Sequence, residues 1–195
     1  MTRIAIFASG SGSNAENIFN YFKESKNIEV SLILTNNPSA FVIERAKNLN
    51  VTSHVFTKSD FLNTDEILCV LEKNNTNLIV LAGFLLKIPE NLIRKFPNKI
   101  VNIHPALLPK YGGKGMYGDN VHKAVVANKE TESGITIHFV NEHYDEGKII
   151  FQAKCTVLEN DTYENVAAKV HKLEYEHFPK AIDSLIKRSA ELNLN

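Results

Sequence analysis

The sequence predicts an α/β fold: an open, mostly parallel, twisted sheet in a single domain, closing with an antiparallel strand pair and a long C-terminal helix. Three observations carry this expectation. Short β-branched runs alternate with helical patterns through the first hundred residues, the signature of βαβ units. The most apolar run, Leu78 to Phe84 (LIVLAGF), shows no polar alternation, as expected of a central strand buried on both faces. Two late β-rich runs are separated only by NEHYDEG, too short for a helical crossover, so they are expected to pair antiparallel. At 195 residues the chain can bury one substantial core, and residues 1–195 are read as one domain.

In order, Arg3 to Ala8 is the first strand and leads into SGSGSNAENIFNYFKES, where Ile18, Phe19 and Phe22 fall at helical spacing. Ile28 to Thr35 is the second strand, closed by the turn formers Asn36, Asn37 and Pro38. Phe41 to Leu49 reads as a helix, Thr52 to Phe56 as a third strand, and Ser59 to Glu72 as one capped helical segment. After the apolar run, Pro89 to Phe96 is a short helix leading into KIVNIHPALLPKYGG. Tyr111 to Asn120 holds four of the nine glycines and reads as a loop, followed by a helix over Val121 to Asn128. Gly134 to Val140 and Lys148 to Val157 are the late strands. Asp161 and Thr162 offer a cap to the last helix, which Pro179 is expected to kink or divide.

The 22 basic and 22 acidic residues cancel, so no bulk charge draws the chain to nucleic acid or to a membrane. Cys69 and Cys155 lie far apart in apolar surroundings without metal-ligand spacing, and read as buried thiols of a reducing compartment. The opening MTRIAIFASG is a strand-length run with no signal-peptide pattern, and no segment reaches membrane length. The expected location is the cytoplasm.

Candidate chemistry starts at Asn102 and His104. Alternate positions of a strand share a face, so amide and imidazole project together where Pro105 ends the run, and ligands of open α/β sheets bind outside such strand ends. Gly10, Gly12 and Ala15 satisfy G-x-G-x-x-A, but the second strand ends in Thr35, Asn36 and Asn37 rather than in an acid for a ribose hydroxyl. What remains is glycine-rich backbone at a helix N-terminus, with Ser11, Ser13 and Asn14 as further donors: a single-phosphate site, or an ordinary βα turn and cap. A carboxylate from NEHYDEG would orient the imidazole and favour its charged form, with Glu142, Asp145 and Glu146 all in reach of that role.

Together SGSGSN, LAGF, NIHPALLP, GITIHFV and DEGKIIFQ resemble the formyl-folate-dependent formyltransferase family, and within it the phosphoribosylglycinamide formyltransferases. The similarity runs almost from end to end. It implies the Rossmann-like formyltransferase fold and transfer of the formyl group of 10-formyltetrahydrofolate to the amine of glycinamide ribonucleotide in purine synthesis, without a metal. It also implies that Asn102, His104 and Asp145 are the catalytic trio. By the same resemblance Gly12, Ser13 and Asn14 hold the substrate phosphate, and His171 and Glu174 contact the ribonucleotide. The folate pocket falls to Phe84, Leu85, Ile88, Asn102, Asn141, Tyr144 and Asp145. The implied partners are these small molecules, with no nucleic acid or membrane, and the implied state is a monomer or weak homodimer. Family members acting on methionyl-tRNA carry a further C-terminal domain and the hydrolases an N-terminal one, for which this chain leaves no expected room. Two departures stand out: Ser59 to Glu72 has no arginine where the family commonly places one near the pterin, and YGGKGMYG replaces a proline-containing turn.

Overall fold

Apolar residues without alternation force β1 (Thr2–Phe7) into the interior, and its last four residues, Ile4 to Phe7, are fully buried. The computed structural model describes residues 1–192. Its strands hydrogen-bond in the order β3-β2-β1-β4-β5-β6-β7. The chain divides into two compact units, residues 1–102 with 139–142, and residues 103–138 with 143–192.

The first unit contains α1 (Ser13–Phe22), β2 (Ile28–Thr35), α2 (Val42–Asn48), β3 (Thr52–Val55), α3 (Lys58–Asn63), α4 (Glu66–Lys73), β4 (Leu78–Leu81), α5 (Glu90–Lys95) and most of β5 (Ile100–His104). All its strand pairs are parallel: β1 takes β2 on one edge and β4 on the other, with Phe7 opposite both Leu34 and Leu81. Helices following each strand supply the cover that such a sheet requires. The core gathers Phe7, Phe56, Phe61 and the partly buried Phe84, with ring centroids 5.1 to 6.1 Å apart, mostly edge-on or tilted, as ring quadrupoles prefer.

The second unit contains α6 (Asp119–Ala127), most of β6 (Glu132–Phe139), β7 (Ile149–Thr156) and α7 (Tyr163–Leu192). β6 and β7 are antiparallel as expected, with Ile135 opposite Ala153. Gly134 lies so close to β7 that a Cβ there would stand 2.0 Å from the Ala153 carbonyl oxygen, so the strands meet at this register only because the side chain is absent. The start of α7 is capped by a reciprocal pair: the Asn165 carboxamide accepts from the Thr162 N–H at 3.0 Å, and the Thr162 hydroxyl accepts from the Asn165 N–H at 3.4 Å.

Four expectations need correction. The 59–72 segment is two helices, because the Thr57 and Asp60 capping box starts α3 while Thr64 is extended and turns its hydroxyl back onto the Asp60 carbonyl at 2.7 Å. The apolar run is a strand only to Leu81; Gly83 at φ +72° then turns the chain, and Phe84 packs into the core from outside the sheet. Neither thiol is fully buried: Cys69 is exposed and Cys155 half-buried. On α4 the inward face is Ile67 and Leu71, one helical turn apart, which leaves position 69 on the opposite side. Pro179 does not divide the last helix, whose thirty residues run through it between the buried Phe178 and Ile182.

Candidate active site

The end of β5 delivers His104 into the second unit, where only 4% of the residue is exposed. Its Nε2 lies 2.7 Å from the carbonyl oxygen of Tyr111, and its Nδ1 lies 3.6 Å from Oδ2 of Asp145. Asp145 sits in the β6–β7 connection at φ +56°, a left-handed conformation that non-glycine residues adopt rarely. Its Oδ2 accepts the Gly113 N–H at 2.9 Å, and its Oδ1 lies 3.6 Å from Nε2 of His138. Of the three acids in NEHYDEG, Asp145 is thus the one set against the imidazole; Glu142 and Glu146 are exposed.

One hydroxyl ties down the segment that follows His104. Thr136 donates to the Ala106 carbonyl at 2.7 Å and accepts from the Leu108 N–H at 3.0 Å and from the Gln152 carboxamide at 2.8 Å. Gln152 also donates to the Leu108 carbonyl at 3.0 Å. The chain just past His104 is therefore pinned by buried and part-buried bonds, a polar network that favours one geometry.

Burial pushes the His104 imidazole below the ordinary histidine range, while the Asp145 carboxylate and then the Tyr111 carbonyl oppose it. His138 adds to the depression, and Glu174 works against it. For Asp145 burial raises the carboxyl, but His138, His104 and the Gly113 N–H outweigh that and hold it below the usual carboxylate range. The pair therefore presents an ionised carboxylate beside an imidazole that burial biases toward the neutral form against the pull of its acceptors.

In α7 of the same unit, Glu174 is a buried acid, 5% exposed, and its Oε2 lies 2.9 Å from Nδ1 of His171. That hydrogen bond raises the His171 imidazole above its ordinary range against the pull of burial. The His171 ring stands edge-on to His122, with centroids 6.5 Å apart. His122 is 2% exposed, and its Nδ1 is buried without a hydrogen-bond partner. Tyr144 is exposed in the β6–β7 connection.

The other expected residues belong to the first unit. Gly12 is the N-cap of α1 at φ +72°, and a Cβ there would lie 2.3 Å from Cγ2 of Val42, so the turn is built for glycine. Ser13 and Asn14 open the helix with their N–H groups, the arrangement that receives an anion. Arg45 braces this turn, donating to the Ser11 carbonyl at 2.8 Å and pairing with Glu16. Asn102 is half-buried in β5 opposite Leu81. Leu85 is exposed and ties its N–H to the Ser9 hydroxyl at 3.1 Å; Ile88 is buried in the core, while Phe84 and Asn141 are partly covered.

Sequence reasoning passed over His138, Thr136, Tyr111 and His122. A signal for the first two existed in GITIHFV, where two polar side chains recur at alternate positions of an otherwise apolar strand. Tyr111 acts through a backbone oxygen, which no side-chain pattern reveals.

The family described as formyl transferase matches residues 2–182. The phosphoribosylglycinamide formyltransferase of Bacillus subtilis (strain 168) is 35% identical over 191 residues, covering 95% of each chain. The chloroplastic phosphoribosylglycinamide formyltransferase of Arabidopsis thaliana is 41% identical over 189 residues, 94% of this chain. This chain spans less than two thirds of the plant relatives' length, 65% of the Arabidopsis protein and 60% of its Vigna unguiculata counterpart. The crystal structure of glycinamide ribonucleotide transformylase 1 from Geobacillus kaustophilus superposes with a TM-score of 0.87 at 34% identity, over 95% of this chain and 98% of that one.

Proposed function

Since this chain belongs to the formyl transferase family, we propose that it transfers the formyl group of 10-formyltetrahydrofolate to the amine of glycinamide ribonucleotide, a step of purine synthesis. The observation that carries the reading is His104 at the end of β5, buried and flanked by the ionised Asp145. The names and extents of the similar proteins support the acceptor.

In this reading the amine attacks the formyl carbon, and negative charge grows on the former carbonyl oxygen. Asn102 offers its amide N–H and His104 a ring N–H to that oxygen; one such donor is typically worth ~3 kcal/mol of barrier. Asp145 favours the charged imidazole and passes a proton from the attacking amine toward the leaving folate nitrogen, a type of transfer that typically contributes ~10²–10⁴-fold. Gly12, Ser13 and Asn14 bind the substrate phosphate on the N-terminus of α1, and His171 and Glu174 bind the ribonucleotide. Phe84, Leu85, Ile88, Asn141 and Tyr144 serve the folate. Binding energy at the distant phosphate positions the amine, so that a truncated acceptor loses rate as well as affinity. The chain acts as one formyltransferase domain on small molecules in the cytoplasm, as a monomer or weak homodimer.

The test is a spectroscopic assay with 10-formyltetrahydrofolate, comparing glycinamide ribonucleotide with glycinamide lacking the ribose phosphate. Formylation of the ribonucleotide alone is the expected result. Equal rates with both acceptors overturn the acceptor assignment.

A further inference from the structure

Glu130, between α6 and β6, grips the chain just before the glycine loop. Its carboxylate accepts from Lys110 Nζ at 3.0 and 3.1 Å and from the Tyr111 hydroxyl at 2.9 Å. Lys110 first and Tyr111 second hold the Glu130 carboxyl below its usual range, so the grip is ionised at neutral pH. Between these side-chain anchors the Tyr111 backbone sits at φ +57°, a left-handed conformation that a tyrosine keeps only where its surroundings over-determine it. The product of this posture is the position of the Tyr111 carbonyl, 2.7 Å from His104 Nε2.

A carbonyl oxygen carries no proton, so Nε2 must be the donor in that contact. The other ring nitrogen faces the Asp145 carboxylate at 3.6 Å. A neutral imidazole has one N–H: it can serve the carbonyl or the carboxylate, and turns a lone pair toward the one it fails. Only the doubly protonated ring satisfies both. We propose that Glu130 is a positioning residue for His104, holding the Tyr111 carbonyl against Nε2 so that the imidazolium is the ring form best matched to the site.

The charged and titratable groups facing His104 are Asp145 from the β6–β7 connection, His138 from β6, Glu174 from α7 and His122 from α6. The contacts of Glu130 run to Lys110 and Tyr111, so the Tyr111 carbonyl is the acceptor that the grip controls. The inference rests on His104 meeting the developing charge in the proposed reaction through Nδ1–H: Nε2–H is committed to the Tyr111 carbonyl, Asp145 stands 3.6 Å from Nδ1, beyond hydrogen-bond length, and a charged ring is the stronger donor.

The test uses the full chain with Tyr111→Phe, which deletes one bond to Glu130 and keeps the backbone, and Glu130→Ala, which deletes the whole grip. His104 is followed by ¹⁵N ring spectra across a pH series, with its resonances assigned by their loss in His104→Ala. In both variants the His104 midpoint is expected to move to lower pH, and its neutral form to carry the proton on Nδ1. Turnover at neutral pH is expected to fall about three- to tenfold, the size of one hydrogen bond, with KM little changed and partial recovery at lower pH. An unmoved midpoint and tautomer in two folded variants overturn the inference. His104→Ala separates the two levels: if it retains turnover, the reading of the site fails and takes this inference with it, whereas if it loses turnover while Tyr111→Phe and Glu130→Ala leave the titration unchanged, only the role of Glu130 is lost.

Discussion

Nδ1 of His104 stands 3.6 Å from Oδ2 of Asp145, with 5% and 13% of the two side chains exposed. At that separation and in that shelter a unit charge on one group is felt strongly by the other, because little water intervenes. Asp145→Asn keeps the shape and removes the charge, so it withdraws the main influence opposing the burial of His104. Turnover is expected to fall by about 10²-fold or more, with His104→Ala at least as severe and circular dichroism unchanged in both. An Asp145→Asn enzyme of near-normal turnover would show that the carboxylate is a structural anchor for Gly113 rather than a partner in the chemistry.

Stability is expected to respond to pH through His122. Burial first, and then His171, push its imidazole below the ordinary value of 6.5. The unfolded chain therefore takes up a proton at a pH where the folded chain does not, so folding stability is whole above about 6.5 and declines as pH falls from there toward the folded value. His104 and Asp145 act in the same direction, each being lowered by folding. His171 acts oppositely: Glu174 raises it, so its contribution is present at low pH and is lost as pH rises through its folded value. Urea unfolding at several pH values on the acid side of neutrality is expected to show a shallower decline in His122→Leu than in the native chain. Parallel curves would mean that this ring does not contribute to the linkage.

Two glycines of the first loop are expected to differ sharply. In Gly12→Ala the new methyl meets Val42 at 2.3 Å, with the Val42 Cα at 2.9 Å, on a backbone at φ +72°. Left-handed strain and overpacking together predict a loss of about 2–4 kcal/mol. Gly10→Ala meets nothing within 4 Å and is expected to cost less than about 1 kcal/mol. Chemical denaturation of the two variants measures the contrast; equal losses would contradict the close approach of α2 to this turn.

What could be read from the sequence was set by what local chemistry determines. β2 spans Ile28 to Thr35 as expected, because a β-branched run bounded by Asn-Asn-Pro leaves little freedom at either end. The run from Leu78 overshot its strand by three residues since hydrophobicity reports burial and not extension: Phe84 is as apolar as Leu81 but reaches the core from a turn. Thr64 broke a helix that its neighbours favour, by a side-chain bond to the backbone that competes with the helical pattern. Cys69 looked buried by composition and is exposed by phase.

At the site, His104 was conspicuous as a titratable group ending an apolar strand, and Asp145 emerged from three acids only through the family resemblance, with the geometry then setting it against His104. His138 escaped because polar residues at alternate positions of a strand look the same whether that face meets solvent or a buried network. Nor could the Tyr111 carbonyl be anticipated, since its place depends on a backbone angle and on a carboxylate nineteen residues away.

The pairing of β1 bears on how the chain is made. One edge of β1 is closed by β2, which ends at Thr35, but the other waits for β4, which begins at Leu78. Throughout the interval on the ribosome a strand that is apolar on both faces from Ile4 to Phe7 has an open edge, the kind of edge that recruits other chains. Parallel pairing across such a gap is slow to close, because the entropy of the intervening loop is spent before the contacts form. Nascent chains halted between Thr35 and Leu78 are therefore expected to carry an aggregation-prone edge on β1.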